Sequence, residues 1–71
     1  MATSRDIEKH YSRKDFVAKL RRLADALESE KSFNIQVAGE RLRIPAEAVF
    51  NIEHERVKGS HELEFQLIWE D

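Results

Sequence analysis

Cysteine is absent from this 71-residue chain, which excludes disulfides, thiolate nucleophiles and cysteine-ligated zinc. One proline and two isolated glycines are too few for a low-complexity chain, and they leave nothing from which to build a glycine-rich phosphate loop. Apolar runs stop at about three residues, against the roughly 20 that a membrane-spanning helix needs. Met1-Ala2-Thr3-Ser4-Arg5-Asp6 has no apolar stretch behind it. No secretory signal is therefore expected, and the expected location is the cytoplasm. Nor is there an excess of positive charge: 12 basic side chains against 14 acidic ones leave −2. A global electrostatic footprint for nucleic acid is missing.

What is present is enough apolar material to fold. Hydrophobic residues make up 41% of the chain and include four Phe, one Trp and one Tyr. Charged residues make up 37%, so the apolar positions are interleaved with solvated ones rather than clustered. A chain this short holds one domain with one core. Charge is unevenly spread: residues 1–31 carry eight basic and six acidic side chains, whereas residues 47–71 carry two and seven.

Residues 1–10 are polar and without periodicity, and are expected to form a loosely ordered lead-in to a domain at 11–71. Ser12 is placed to cap a helix, Asp15 falls at its third position, and Tyr11 and Phe16 have the spacing of a hydrophobic staple. Phe16, Leu20, Leu23, Ala24 and Leu27 then form one apolar stripe, predicting a helix over about 13–29. From Phe33 the period changes to two. Phe33, Ile35 and Val37 precede, and Leu42 and Ile44 follow, a predicted turn at Gly39-Glu40 that pairs Val37 with Leu42 and Ile35 with Ile44. Pro45 closes the second strand. Phe50, Ile52 and His54 share a face of a third strand, and Leu63, Phe65, Leu67 and Trp69 share a face of a fourth. An even-length loop at Lys58-Gly59 pairs Phe50 with Leu67, Ile52 with Phe65 and His54 with Leu63, apolar against apolar. The fold class is α+β: an N-terminal amphipathic helix packed on a four-stranded antiparallel β-meander, in the order α-β-β-β-β. Its expected core is Phe16, Leu20, Leu23, Ala24, Leu27, Phe33, Ile35, Val37, Leu42, Ile44, Phe50, Ile52, Leu63, Phe65, Leu67 and Trp69.

The helix opening Ser12-Arg13-Lys14-Asp15-Phe16 and its continuation Leu23-Ala24-Asp25-Ala26-Leu27-Glu28 resemble the start of Amphi-Trp domains. So do the turn Val37-Ala38-Gly39-Glu40-Arg41, the Ile44-Pro45 step, and the closing amphipathic strand Leu63-Glu64-Phe65-Gln66-Leu67-Ile68-Trp69. The resemblance covers about residues 11–70. Many members have glycine soon after the helix, where this chain has Ser29-Glu30-Lys31-Ser32. It implies a small prokaryotic domain of unestablished function, and it brings no catalytic residues.

Three constellations could carry chemistry. His54 and His61 lie diagonally on one face of the last hairpin, but two imidazoles fall short of the three or four ligands of a zinc site. No metal and no cofactor is expected. Glu53 faces Glu64 and Glu55 faces Glu62 on the other side of that hairpin. Like charges directly opposed are unfavourable, so the strip either receives a basic partner or is neutralised by Arg41 and Arg43 on the neighbouring strand, the favoured alternative. An open sheet face offers no cleft for acid–base catalysis, and the chain is not expected to be an enzyme. Arg5, Lys9, Arg13, Lys14, Lys19, Arg21 and Arg22 could line a phosphate-facing stripe, but Asp15, Asp25 and Glu28 interrupt it. Weak nucleic-acid binding through that face is the second choice. The first is a non-enzymatic interaction module that uses its C-terminal edge strand. Leu67, Ile68 and Trp69 form the densest apolar patch, with Ile68 turned outward, and Glu53, Glu55, Glu62 and Glu64 lie alongside. A protein partner or homodimer is expected, and no membrane.

Overall fold

The computed structural model describes residues 7–71, so the first six residues of the expected lead-in lie outside the described part. Residues 7–12 hold no regular structure. Helix α1 spans Arg13–Glu28, and strands β1 (Phe33–Val37), β2 (Glu40–Ile44), β3 (Val49–Val57) and β4 (Ser60–Ile68) follow. The α+β class and the order α-β-β-β-β are as the sequence pattern requires.

Both ends of α1 are made by local hydrogen bonds. Ser12 has an extended backbone, and its Oγ accepts from the Asp15 N–H at 3.2 Å, satisfying one of the donors that the first helical turn leaves free. At the other end the Lys31 N–H donates to the Ala26 carbonyl (3.0 Å) and the Glu30 N–H to the Leu27 carbonyl (3.1 Å). This is the Schellman closure, and it requires a left-handed residue after the cap. Glu30 supplies it at φ 56°, where glycine would carry no steric penalty.

The first hairpin differs from the predicted register. Its two-residue turn is Ala38-Gly39, with φ values of 47° and 85°, and both positive angles mark a type I′ turn. Phe33 therefore faces Ile44, Ile35 faces Leu42 and Val37 faces Glu40. The slip is two places. A slip of two preserves the face on which every side chain sits, so apolar–apolar matching is satisfied by either register. The turn decides, because glycine is favoured at the second position of a type I′ turn. The second hairpin has the predicted register throughout: Phe50 opposite Leu67, Ile52 opposite Phe65, His54 opposite Leu63. Its turn, Lys58-Gly59, repeats the first at φ 47° and 82°.

The four strands do not form one continuous ladder. β1 pairs only with β2 and β3 only with β4, giving two antiparallel two-stranded sheets. The division falls at Pro45, which has no N–H to donate and opens a turn closed by the Ala48 N–H on the Pro45 carbonyl at 3.2 Å.

The division relocates the core. Among the described residues Phe33, Ile44 and Ala48 are the buried apolar ones, and Leu23, Ala26, Ile35, Leu67 and Trp69 pack against them half-buried. Helix, first hairpin and the end of the second meet at this one cluster. Arg22 reinforces it from the helix: its guanidinium carbon lies 5.1 Å from the Phe33 ring centroid and its Nη2 donates to the Asn34 carbonyl at 3.1 Å. Ala48 is a core residue that strand periodicity does not reveal, since it sits between β2 and β3. Conversely Phe16, Leu20, Phe50, Ile52, Leu63 and Phe65 are exposed, and Ala24 with them, contrary to the core expected from their spacing. Their pattern is amphipathic as predicted, but without a continuous sheet the helix covers only part of the apolar surface.

Replacing Phe33, 7% exposed, with Ala should therefore cost about 3–4 kcal/mol of unfolding free energy, whereas Phe16→Ala, at 54% exposure, should cost under about 1. Urea unfolding of the two variants checks the location of the core.

Candidate interaction surface

Period-two geometry gives the long β3–β4 hairpin two unlike faces. One carries Glu53, Glu55, Glu62 and Glu64. Glu53 faces Glu64 and Glu55 faces Glu62, as the sequence register places them. Carboxylate oxygens of Glu55, Glu62 and Glu64 lie within 4.8 Å of one another. The crowding has an electrostatic consequence. The Glu62 carboxyl is raised from its ordinary 4.5, first by the charge on Glu64, then by desolvation and by the charge on Glu55. The Gln66 side-chain amide donates to Glu64 Oε2 at 2.9 Å, relieving one carboxylate of the group.

Arg41 and Arg43 do not neutralise this strip, contrary to the favoured sequence expectation. They lie on β2, which is not paired with β3, and no ion pair joins them to the glutamates among the described residues. With Trp69 and Asp71 they line a shallow surface depression instead. The acidic face is solvated, and at the turn end Glu55 and Glu62 border an open depression with Val57, Ser60 and His61.

The two histidines sit on the opposite face. His54 Nε2 and His61 Nδ1 are 2.9 Å apart, and the rings are parallel within 2° with centroids 5.1 Å apart. This is the diagonal approach expected from the register. The alternation of the strand keeps the pair away from the carboxylates.

Beside the histidines, that face continues through Leu63, Phe65 and Leu67 on β4 and Ile52 and Phe50 on β3. Leu63, Phe65, Ile52 and Phe50 are more than half exposed. Phe50, Ile52, Phe65 and Leu67 form one wall of an open apolar groove whose other wall is Leu23 and Leu27 of α1. A second apolar groove, sharing Leu23, runs along Phe16, Leu20, Phe33, Ile35 and Val37. The uncovered apolar surface thus extends from the first hairpin across the helix to the second.

The outer edge of β4 completes the picture. In a two-residue hairpin the residues flanking the loop, here Val57 and Ser60, form a hydrogen-bonded pair, and such pairs recur at every second position. On β4 the even-numbered residues from Ser60 to Ile68 therefore turn their backbone groups toward β3. His61, Leu63, Phe65 and Leu67 turn theirs outward, where no strand is paired among the described residues. The terminal patch named by the sequence divides accordingly. Leu67 and Trp69 pack against the Phe33–Ile44–Ala48 cluster, and Ile68 is 50% exposed. Trp69 ties the end of the second hairpin to the core.

The basic helix face is partly committed. Lys9 and Lys19 place their ammonium groups 5.3 and 5.1 Å from the Tyr11 ring centroid, and Arg22 is held over Phe33. Arg5 lies outside the described residues. No helix among the described residues is long and apolar enough to cross a membrane.

The profile of the Amphi-Trp domain family matches residues 2–71, and the chain belongs to that family. No curated protein and no solved structure matches it.

Because the Glu62 carboxyl is raised in the folded chain, the folded state holds that proton more tightly than the unfolded state does. Its contribution to stability is full below pH 4.5 and falls as pH rises through the window above 4.5. Glu62→Gln should remove this decline and raise the melting temperature at pH 7, as thermal unfolding between pH 4 and 7 will show.

Proposed function

We propose that this Amphi-Trp domain is a non-enzymatic protein-interaction module that accepts an additional strand along β4, acting in the cytoplasm. One observation carries the reading. The unpaired backbone edge of β4 at Leu63 and Phe65 belongs to the same residues that present an uncovered apolar face, which Leu67 continues toward the core. Strand addition needs both features: main-chain groups supply affinity, and alternating side chains supply selectivity. An edge left idle is normally defended by inward charge, proline or a covering loop. The charges of this strand, Glu62 and Glu64, point to the other face, and its edge-facing residues are apolar or histidine.

Weak nucleic-acid binding is the second reading, and it has less support. It would use Arg13, Lys14 and Arg21, since Lys9, Lys19 and Arg22 are engaged with aromatic rings. Contacts limited to phosphates would be non-specific and lost by about 0.2 M salt.

Leu63→Pro tests the first reading. It deletes an N–H that points away from β3, so the hairpin keeps its own ladder while the edge loses a donor. Protein captured from lysate by the parent domain should be lost by Leu63→Pro with the circular dichroism spectrum unchanged. Equal capture by a folded Leu63→Pro variant would exclude the edge, and duplex DNA held in sequence-dependent fashion above about 0.2 M salt would favour the nucleic-acid reading.

A further inference from the structure

We infer that the strand received by β4 is β4 of a second copy of this chain, antiparallel, about a two-fold axis at Phe65. The inference rests on the strand-accepting edge described above and names its partner. Its first support is area. The chain exposes 6701 Å². A folded monomer of 8.4 kDa is expected to expose about 4,600 Å². Its radius of gyration is 13.7 Å, where a compact domain of this length gives about 11 Å. The excess of roughly 2,000 Å² exceeds the roughly 800 Å² per partner that a standard specific interface covers. A small core with so much surface left over gains from association with itself.

The second support is the symmetry of the strand's own sequence. In an isologous antiparallel pair, residues equidistant from the axis face each other. The outward backbone groups belong to odd-numbered residues, so odd residues must face odd ones, a condition that an axis through any residue of the strand meets. With the axis at Phe65, Phe65 meets its own copy and Leu63 meets Leu67, on the apolar face. On the other face Glu64 meets Gln66 and Glu62 meets Ile68. No like charges oppose, and the Gln66 amide, which already donates to Glu64 within the chain, is opposite the partner's carboxylate. The neighbouring choices are worse. An axis at Glu64 sets that residue against its own copy, one at Leu63 sets Glu62 against Glu64, one at Gln66 sets Glu62 against Glu70, and one at Leu67 sets Glu64 against Glu70, all like-charge pairs. Leu63-Glu64-Phe65-Gln66-Leu67 is thus complementary to itself in one register. The result is a four-stranded sheet, β3-β4-β4-β3, whose two apolar faces join.

Sedimentation equilibrium of the purified full chain tests this without any other protein. The parent should show twice the 8.4 kDa chain mass. Phe65→Lys, which places two ammonium groups at the axis, should reduce it to one chain mass while leaving circular dichroism unchanged, because Phe65 is 64% exposed in the single chain. A pair of variants at Ile68 fixes the register. Ile68→Lys faces the partner's Glu62 and should dissociate no more readily than the parent, whereas Ile68→Glu should dissociate at least ten-fold more readily. A parent that stays at one chain mass overturns the inference. If that parent still captures a different protein in a Leu63→Pro-sensitive manner, the edge reading stands and only the identity of the strand fails. A dimer that ignores Phe65→Lys, or that responds equally to Lys and Glu at position 68, overturns the proposed register.

Discussion

The packing of Phe33 on Ile44 and Ala48 is the contact on which the rest of the structure depends. Helix, first hairpin and the end of the second hairpin converge on it. A lone helix and a lone hairpin are each marginal in water, so neither α1 nor either two-stranded sheet would persist without it. Arg22 fastens the helix to this cluster through the Phe33 ring and the Asn34 carbonyl, and Leu67 and Trp69 bring the long hairpin to it. From this anchor the far part of β3–β4 projects with both faces exposed. The location of the core therefore creates the candidate surface: the apolar face that is half-covered at Leu67 and Trp69 is left open at Phe65 and Leu63.

Local signals in the sequence proved sufficient where one physical effect dominates. Ser12 caps the helix because its hydroxyl reaches the Asp15 N–H, and the α1 bounds follow. The β3–β4 register is legible because one arrangement alone satisfies both the apolar match and a Lys58-Gly59 turn. The same register set the four glutamates in opposed pairs and brought His54 to His61. The first hairpin was less legible, since a two-residue slip is invisible to face matching and Ala38 gives no sign that it adopts positive φ.

Long-range questions lay beyond periodicity. Alternation shows that Phe50, Ile52, Leu63 and Phe65 share an apolar face, but it cannot say whether a helix of the same chain covers that face. The break at Pro45 keeps the strands from joining into one sheet, and the face stays open. The same break removes Arg41 and Arg43 from the glutamate strip, leaving its repulsion in place, with the effect that the Glu62 carboxyl is raised. Ala48 becomes central only because the turn after Pro45 folds it inward.

Amide hydrogen exchange at β4, followed at low and high protein concentration, tests most directly whether the open edge is occupied by another strand. The backbone N–H groups of Leu63, Phe65 and Leu67 point away from β3, so a single chain leaves them to solvent. Slowing of these three amides as concentration rises, with the β3-facing amides of Glu64 and Gln66 protected throughout, is the expected result. Rapid exchange at Leu63, Phe65 and Leu67 at every concentration, with or without lysate partners, would contradict it.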